Sequence, residues 1–218
     1  MVSIADNVKQ VRQNIENLQS ETAVTLIAVT KSVGVDVANA LYAEGVRDFG
    51  ENRPEGLLEK VNAMPSDAKF HFIGSLQTRK VRQVIDHVAA IHSLDRLSLA
   101  EEIDKRSDRV IDCFVQVNVS GETSKHGLEK EEVIPFIENC RQYRHIRVIG
   151  LMTMAPFTED EGEIRETFRA LRELRDRVAA NRFEHAPCNE LSMGMSNDYE
   201  LAIEEGASFV RIGTVLVQ

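Results

Sequence analysis

Eight short runs of β-branched and aromatic residues recur along the chain, each separated from the next by a stretch with helical spacing. This alternation limits the possible folds more than any other feature. The strand-like runs fall at 25–31, 46–51, 70–76, 88–94, 112–119, 147–155, 189–195 and 209–217. Between them, apolar residues return every three or four positions over 35–45, 54–63, 77–88, 96–107, 130–143, 160–181 and 197–206, with Pro54 in the first turn of the second segment. Ile4, Val8, Val11, Ile15 and Leu18 form one face of a further helix ahead of the first strand.

Strands alternating with helices pair in parallel and are covered on both faces. Eight of them in 218 residues predict a single α/β domain over 1–218: a (β/α)8 TIM barrel with an extra N-terminal helix standing where the eighth helix would be. The competing architecture is an open doubly wound sheet. It lacks support because no G-x-G-x-x-G follows the first strand and no Walker-type loop occurs. A hydrophobic content of 43% with 28% charged residues suits a soluble globular domain. The formal net charge of -9 argues against a nucleic-acid partner. The first 25 residues contain no continuous apolar stretch, so neither a signal peptide nor a membrane anchor is expected. Cys113, Cys140 and Cys188 are far apart and odd in number, which fits a reducing compartment, the cytoplasm, rather than a disulfide framework. The six histidines and three scattered cysteines make no C-x-x-C or other complete ligand set, so no metal site is expected.

In a parallel barrel every strand points its C-terminal end at the same face, and that face carries the chemistry. Lys31 stands there, directly after the buried-type run Leu26, Ile27, Ala28, Val29. The strand-seven segment "LSMGMSNDYE" places Gly194, Met195 and Ser196 before a helix, and Ser196 is the expected cap. "RIGTVL" adds Gly213 and Thr214 on the neighbouring loop. Barrels frequently bind phosphate between the loops after strands seven and eight. Arg211, among apolar neighbours in the last strand, is a cation that cannot discard its proton. Asn52 and His71 end or precede the ends of strands two and three on the same rim. The methionines of "GLMTMA" and "SMGM", Met152 and Met195 among them, read as core filling or pocket lining. A lysine beside a phosphate cradle suits either a Schiff base with a carbonyl or electrostatic capture of a phosphorylated metabolite.

Seven ordered blocks carry a family resemblance: "AVTKSV", "DFGEN", "HFIGSLQTRK", "SKHGL", "GLMTMAP", "LSMGMSNDYELAIEEGA" and "VRIGT". With these the chain resembles the pyridoxal-phosphate homeostasis proteins, relatives of the barrel domain of alanine racemase. The resemblance implies a binding protein rather than an enzyme. It implies that Lys31 holds pyridoxal 5'-phosphate (PLP) as a Schiff base and serves vitamin B6 homeostasis by storage or delivery. The phosphate would be held by Ser196 with the backbone around Met195, Gly213 and Thr214. Arg211 would face the pyridine nitrogen, and Asn52, His71 and Met152 would line the pocket. PLP-dependent apo-enzymes are the implied recipients and a monomer the implied state, with Lys80 or Lys125 as candidates to assist transfer. The family usually has Asn where this chain has Arg79, and a Phe and Gly where this chain continues Val215–Gln218. A fixed arginine beside the pyridine nitrogen weakens the cofactor as an electron sink, which disfavours transamination. Racemisation needs two acid/base groups on opposite faces of the substrate carbon. Alanine racemase takes one of them from a second domain, which this chain is expected to lack. Two alternatives stand beside the binding protein: a weak PLP-dependent racemase or lyase, and a phosphate-metabolite enzyme without PLP.

Overall fold

The computed structural model describes residues 3–18, 20–122 and 126–218. Its strands are β1 (Thr25–Val29), β2 (Asp48–Glu51), β3 (Lys69–Phe72), β4 (Val88–Leu94), β5 (Ile111–Gln116), β6 (Ile146–Met152), β7 (Glu190–Ser192) and β8 (Phe209–Ile212). Each pairs in parallel with the next. β8 returns to β1 in the register Thr25↔Phe209 to Ala28↔Ile212, which closes the barrel. The expected (β/α)8 architecture is the observed one. Closure also removes the sheet edge that an open arrangement would leave unpaired.

The helices are α1 (Ile4–Asn17), α2 (Val35–Ala43), α3 (Pro54–Ala63), α4 (Val81–Val84), α5 (Leu97–Arg106), α6 (Val133–Asn139), α7 (Glu161–Ala180), α8 (Tyr199–Glu204) and α9 (Thr214–Val217). α1 starts at a capping box in which Ser3 and Asp6 satisfy each other's backbone N–H, and it buries Val8 and Val11. Asp160 caps α7 by accepting from Gly162 N and Glu163 N, and this helix buries Ile164, Phe168, Leu171, Leu174 and Val178 at helical spacing. α1 packs against α2, α8 and α9. Asn14 Nδ2 reaches Tyr199 Oη at 2.9 Å, and Asn7 Nδ2 reaches Leu216 O at 3.3 Å. The leading helix therefore fills the gap in the outer ring that the chain's order leaves beside β8.

Most of the core is the annulus between strands and helices. A separate cluster of Ala90, Phe114 and Met152, with Ile149 and Phe209 against it, fills the barrel interior. Two expected elements are corrected. The last strand stops at Ile212 instead of reaching 217, because Gly213 turns the chain and Thr214–Val217 forms a helical turn whose Leu216 is buried. Tertiary contact with α1 thus overrides the β-propensity of "TVLV". The expected helix over 77–88 is a 3₁₀ turn at Thr78–Lys80 followed by the single turn of α4, and the chain is already in β4 by Val88. Among the described residues, no helix is long and apolar enough to cross a membrane.

Candidate functional site

Three loops converge at the C-terminal end of the barrel. β1 ends at Val29, and the next residue, Thr30, is fully buried. Thr30 Oγ1 donates to Glu51 Oε1 at 2.6 Å, while Lys60 Nζ on α3 lies 2.8 Å from the same oxygen. Glu51 and Lys60 are each 2% exposed in their side chains, so the pair is desolvated and held by fixed partners. Gly56 belongs to this corner, since a Cβ there would lie 2.8 Å from Glu51 Oε2. The Thr30 N–H donates to Gly50 O at 3.0 Å, and Val33 N closes a turn onto Thr30 O at 3.1 Å. Lys31 rides on this pinned turn with its side chain exposed, and among the described residues it has no ion pair.

After β7, Gly194 adopts φ +94, and a Cβ there would lie 2.6 Å from the Ala202 Cβ; only glycine meets both demands. Met195, half-exposed, donates its N–H to Asp198 Oδ1 at 2.6 Å and accepts from Asp198 N and Tyr199 N. Ser196 does not cap the following helix, as the sequence suggested. α8 begins at Tyr199 with Asp198 as its N-cap residue, because the Asp198 carboxylate bends back to Met195 and tightens the turn. Freed from that role, Ser196 Oγ accepts from Gly213 N at 3.2 Å. Gly213 in turn lies against the end of β1, where a Cβ would sit 3.3 Å from Val29 O. The loops after β7 and β8 thereby meet each other and the C-terminal end of β1. Thr214 follows, exposed, at the start of α9.

Beneath them Arg211 is 4% exposed. Its Nη1 donates to Ser192 Oγ at 2.7 Å and its Nη2 to Thr153 O at 3.0 Å. Burial lowers its pKa to about 10, against a smaller opposing pull from Asp198. It stays a cation at neutral pH, and among the described residues it forms no ion pair.

Asn52 is half-buried just beyond β2, with the loop after β3 pressed onto it: a Cβ on Gly74 would lie 2.6 Å from Asn52 O. Met152 ends β6 and packs in the interior cluster. His71, expected to line the pocket, is engaged within the protein. Its ring lies inside the barrel, with Nε2 2.8 Å from Asp48 Oδ1 and Nδ1 3.0 Å from His92 Nε2. Both nitrogens are engaged by protein, so His71 offers no hydrogen bond to the mouth. Lys80 is paired to Glu55 at 2.7 Å, Arg79 donates to Gln77 Oε1 at 2.8 Å, and Lys125 lies outside the described residues. Among the described residues no cluster of three His, Cys, Asp or Glu is arranged to hold a metal.

Sequence reasoning missed Asp48, His92, Ser192, Asp198 and the Glu51–Lys60 pair. The available signal was strand alternation: Ala90 and His92 are two apart on β4, so they share the face that the barrel turns inward.

A family model for the alanine racemase N-terminal domain matches residues 6–218. The chain belongs to this family. Within it, the pyridoxal phosphate homeostasis protein of Aquifex aeolicus is 43% identical over 202 residues, covering 91% of this chain and 88% of that relative. The membership thus extends to the pyridoxal phosphate homeostasis proteins. PipY of Synechococcus elongatus, solved without PLP, superposes with a TM-score of 0.90 at 30% identity and covers 99% of this chain and 100% of its own. The form of PipY with PLP bound gives a TM-score of 0.87. PipY thus shares the barrel fold over the length of this chain.

Proposed function

We propose that this protein binds PLP at the barrel mouth, holds it as a Schiff base on Lys31 and serves PLP homeostasis in the cytoplasm by storing the aldehyde and delivering it to apo-enzymes. One observation carries the reading: the loops after β7 and β8 meet each other and the end of β1 through Ser196, Gly213 and Val29, two residues before an exposed lysine. The residues fit the cofactor. Ser196, Thr214 and the N–H groups around Gly213 supply neutral donors for a phosphate dianion. Arg211 supplies a group that can only donate, which suits an unprotonated pyridine nitrogen and keeps it unprotonated. Asn52 and Met195 would line the remaining rim, with Met152 closing the pocket from the barrel interior below. When bound, PLP contributes an electrophilic aldehyde. Lys31 would be the amine that holds this aldehyde, by a condensation that releases its oxygen as water.

An exposed amine on a rigid turn suits reversible capture. A permanently cationic partner at the pyridine nitrogen suppresses carbanion chemistry, so storage and delivery fit this site better than turnover. The domain buries its own core and is read as a monomer. The test is an absorbance titration with PLP of the wild type and of Lys31→Ala. The wild type should gain a visible band that the variant lacks, while the variant keeps weaker, non-covalent binding through the phosphate donors. An equal band in Lys31→Ala would overturn the assignment.

A further inference from the structure

Arg211 is the first member of a hydrogen-bonded chain that crosses the barrel interior. Arg211 Nη1 donates to Ser192 Oγ at 2.7 Å. Ser192 Oγ lies 2.8 Å from His92 Nδ1, His92 Nε2 lies 3.0 Å from His71 Nδ1, and His71 Nε2 lies 2.8 Å from Asp48 Oδ1. Ser192, His92 and His71 are all buried, with His92 at 0% exposure. His92 is stacked on Phe114 at 4.2 Å and meets His71 edge-on at 5.1 Å. The far end, Asp48, is the first residue of β2 and borders a cleft of about 400 Å³ at the opposite end of the barrel from Lys31.

With both imidazole rings neutral, the two ends fix the direction of every bond between them. A guanidinium only donates and a carboxylate only accepts. His71 must therefore give its Nε2–H to Asp48, which leaves Nδ1 as an acceptor. His92 must give its Nε2–H to His71, which leaves its own Nδ1 to accept the Ser192 hydroxyl proton. Ser192 then receives the Arg211 N–H. Reversing the chain with both rings neutral would set a bare His71 Nε2 against the carboxylate. Burial, His71 and Arg211 all hold the His92 pKa well below its ordinary value, so that ring stays neutral.

We infer that Ser192, His92, His71 and Asp48 are positioning residues for Arg211. They form a one-way relay that commits the same guanidinium N–H to Ser192 and couples what Arg211 presents at the mouth to a carboxylate at the far end of the barrel. The role of Arg211 at the mouth rests on the reading of this site as a PLP site. The relay itself is tested without PLP.

The experiment is long-range ¹H–¹⁵N NMR on ligand-free protein at neutral pH, with wild type, Asp48→Ala and Asp48→Asn. The wild type should show both His71 and His92 as the Nε2–H tautomer with unprotonated Nδ1. Asp48→Ala removes the acceptor that sets the direction. It should shift the His92 Nδ1 resonance and speed exchange of the Arg211 guanidinium N–H by about threefold or more, the scale of one ordinary hydrogen bond. Asp48→Asn keeps an acceptor oxygen and should restore both readouts most of the way. A filler of space at Asp48 would move neither. Either ring found as the Nδ1–H tautomer or as a cation in the wild type would overturn the relay, a result that needs no variant to fold. So would Asp48→Ala with unchanged His92 and Arg211 signals. Neither result depends on Lys31, so the relay and the PLP reading can fail separately.

Discussion

Lys31 and Lys60 stand on either side of the same corner of the barrel and are treated in opposite ways. Lys60 is buried on α3 and paired to Glu51 at 2.8 Å, with Thr30 bonded to the same carboxylate oxygen. Lys31, one residue after Thr30, is exposed. The difference teaches how a flexible amine is aimed. The buried lysine fixes the carboxylate, the carboxylate fixes Thr30, and Thr30 fixes the turn from which the exposed lysine projects. A lysine engaged in a desolvated pair is not available to an aldehyde; a lysine on a wholly loose loop is not directed at one.

The contrast can be broken most severely at Lys60. Lys60→Met leaves Glu51 buried and unpaired, and should cost about 3 to 5 kcal/mol in denaturant unfolding. Adding Glu51→Gln removes the stranded charge while keeping an acceptor for Thr30, and should recover most of the loss. If Lys60→Met alone proved neutral, the corner would not be held by this pair. A change at the mouth comes next in size. Gly194→Ala forces an L residue into φ +94 against Ala202, which should cost about 2 to 4 kcal/mol in the same assay. It should also weaken retention of inorganic phosphate, because Met195 and Ser196 follow it directly.

Lys31→Ala should change stability by no more than about 0.5 kcal/mol, as expected for an exposed side chain. Its thermal unfolding curve should overlay that of the wild type, and a large loss would show that Lys31 holds the fold rather than presenting an amine. The smallest effect concerns the thiols. Burial pushes Cys140 and Cys188 up to about 12 and Cys113 still higher. The thiolate fraction at pH 8 is therefore negligible, and it grows only as pH rises toward those values. A disulfide reagent should find no fast-reacting thiol in the native protein at pH 8 and all three cysteines in guanidinium. A rapid native reaction would contradict the packing around them.

The barrel was legible in the sequence because hydrophobic period is a local property. Alternating strand and helix patterns name the elements, and a parallel barrel then places Lys31, Ser196, Arg211, Gly213 and Thr214 on one face without further information. What could not be read depends on register. Whether His71 faces the mouth or the interior is decided by how β2, β3 and β4 are staggered, including a shift between Phe70 and His71. The approach of Ser192 to His92 joins residues 100 positions apart. Nothing nearby in sequence marks Glu51 as the partner of Lys60. The true start of α8 was hidden because both Ser196 and Asp198 are good cap residues, and only the bond from Met195 N to Asp198 decides between them.

The central claim is that the mouth exists to present Lys31 to the PLP aldehyde. The most direct measurement is borohydride reduction of the protein mixed with PLP, followed by digestion and mass spectrometry of the modified peptide. The account predicts a single stable adduct on the peptide containing Lys31. An adduct on Lys80, one spread over several surface lysines, or none at all with excess PLP would contradict it.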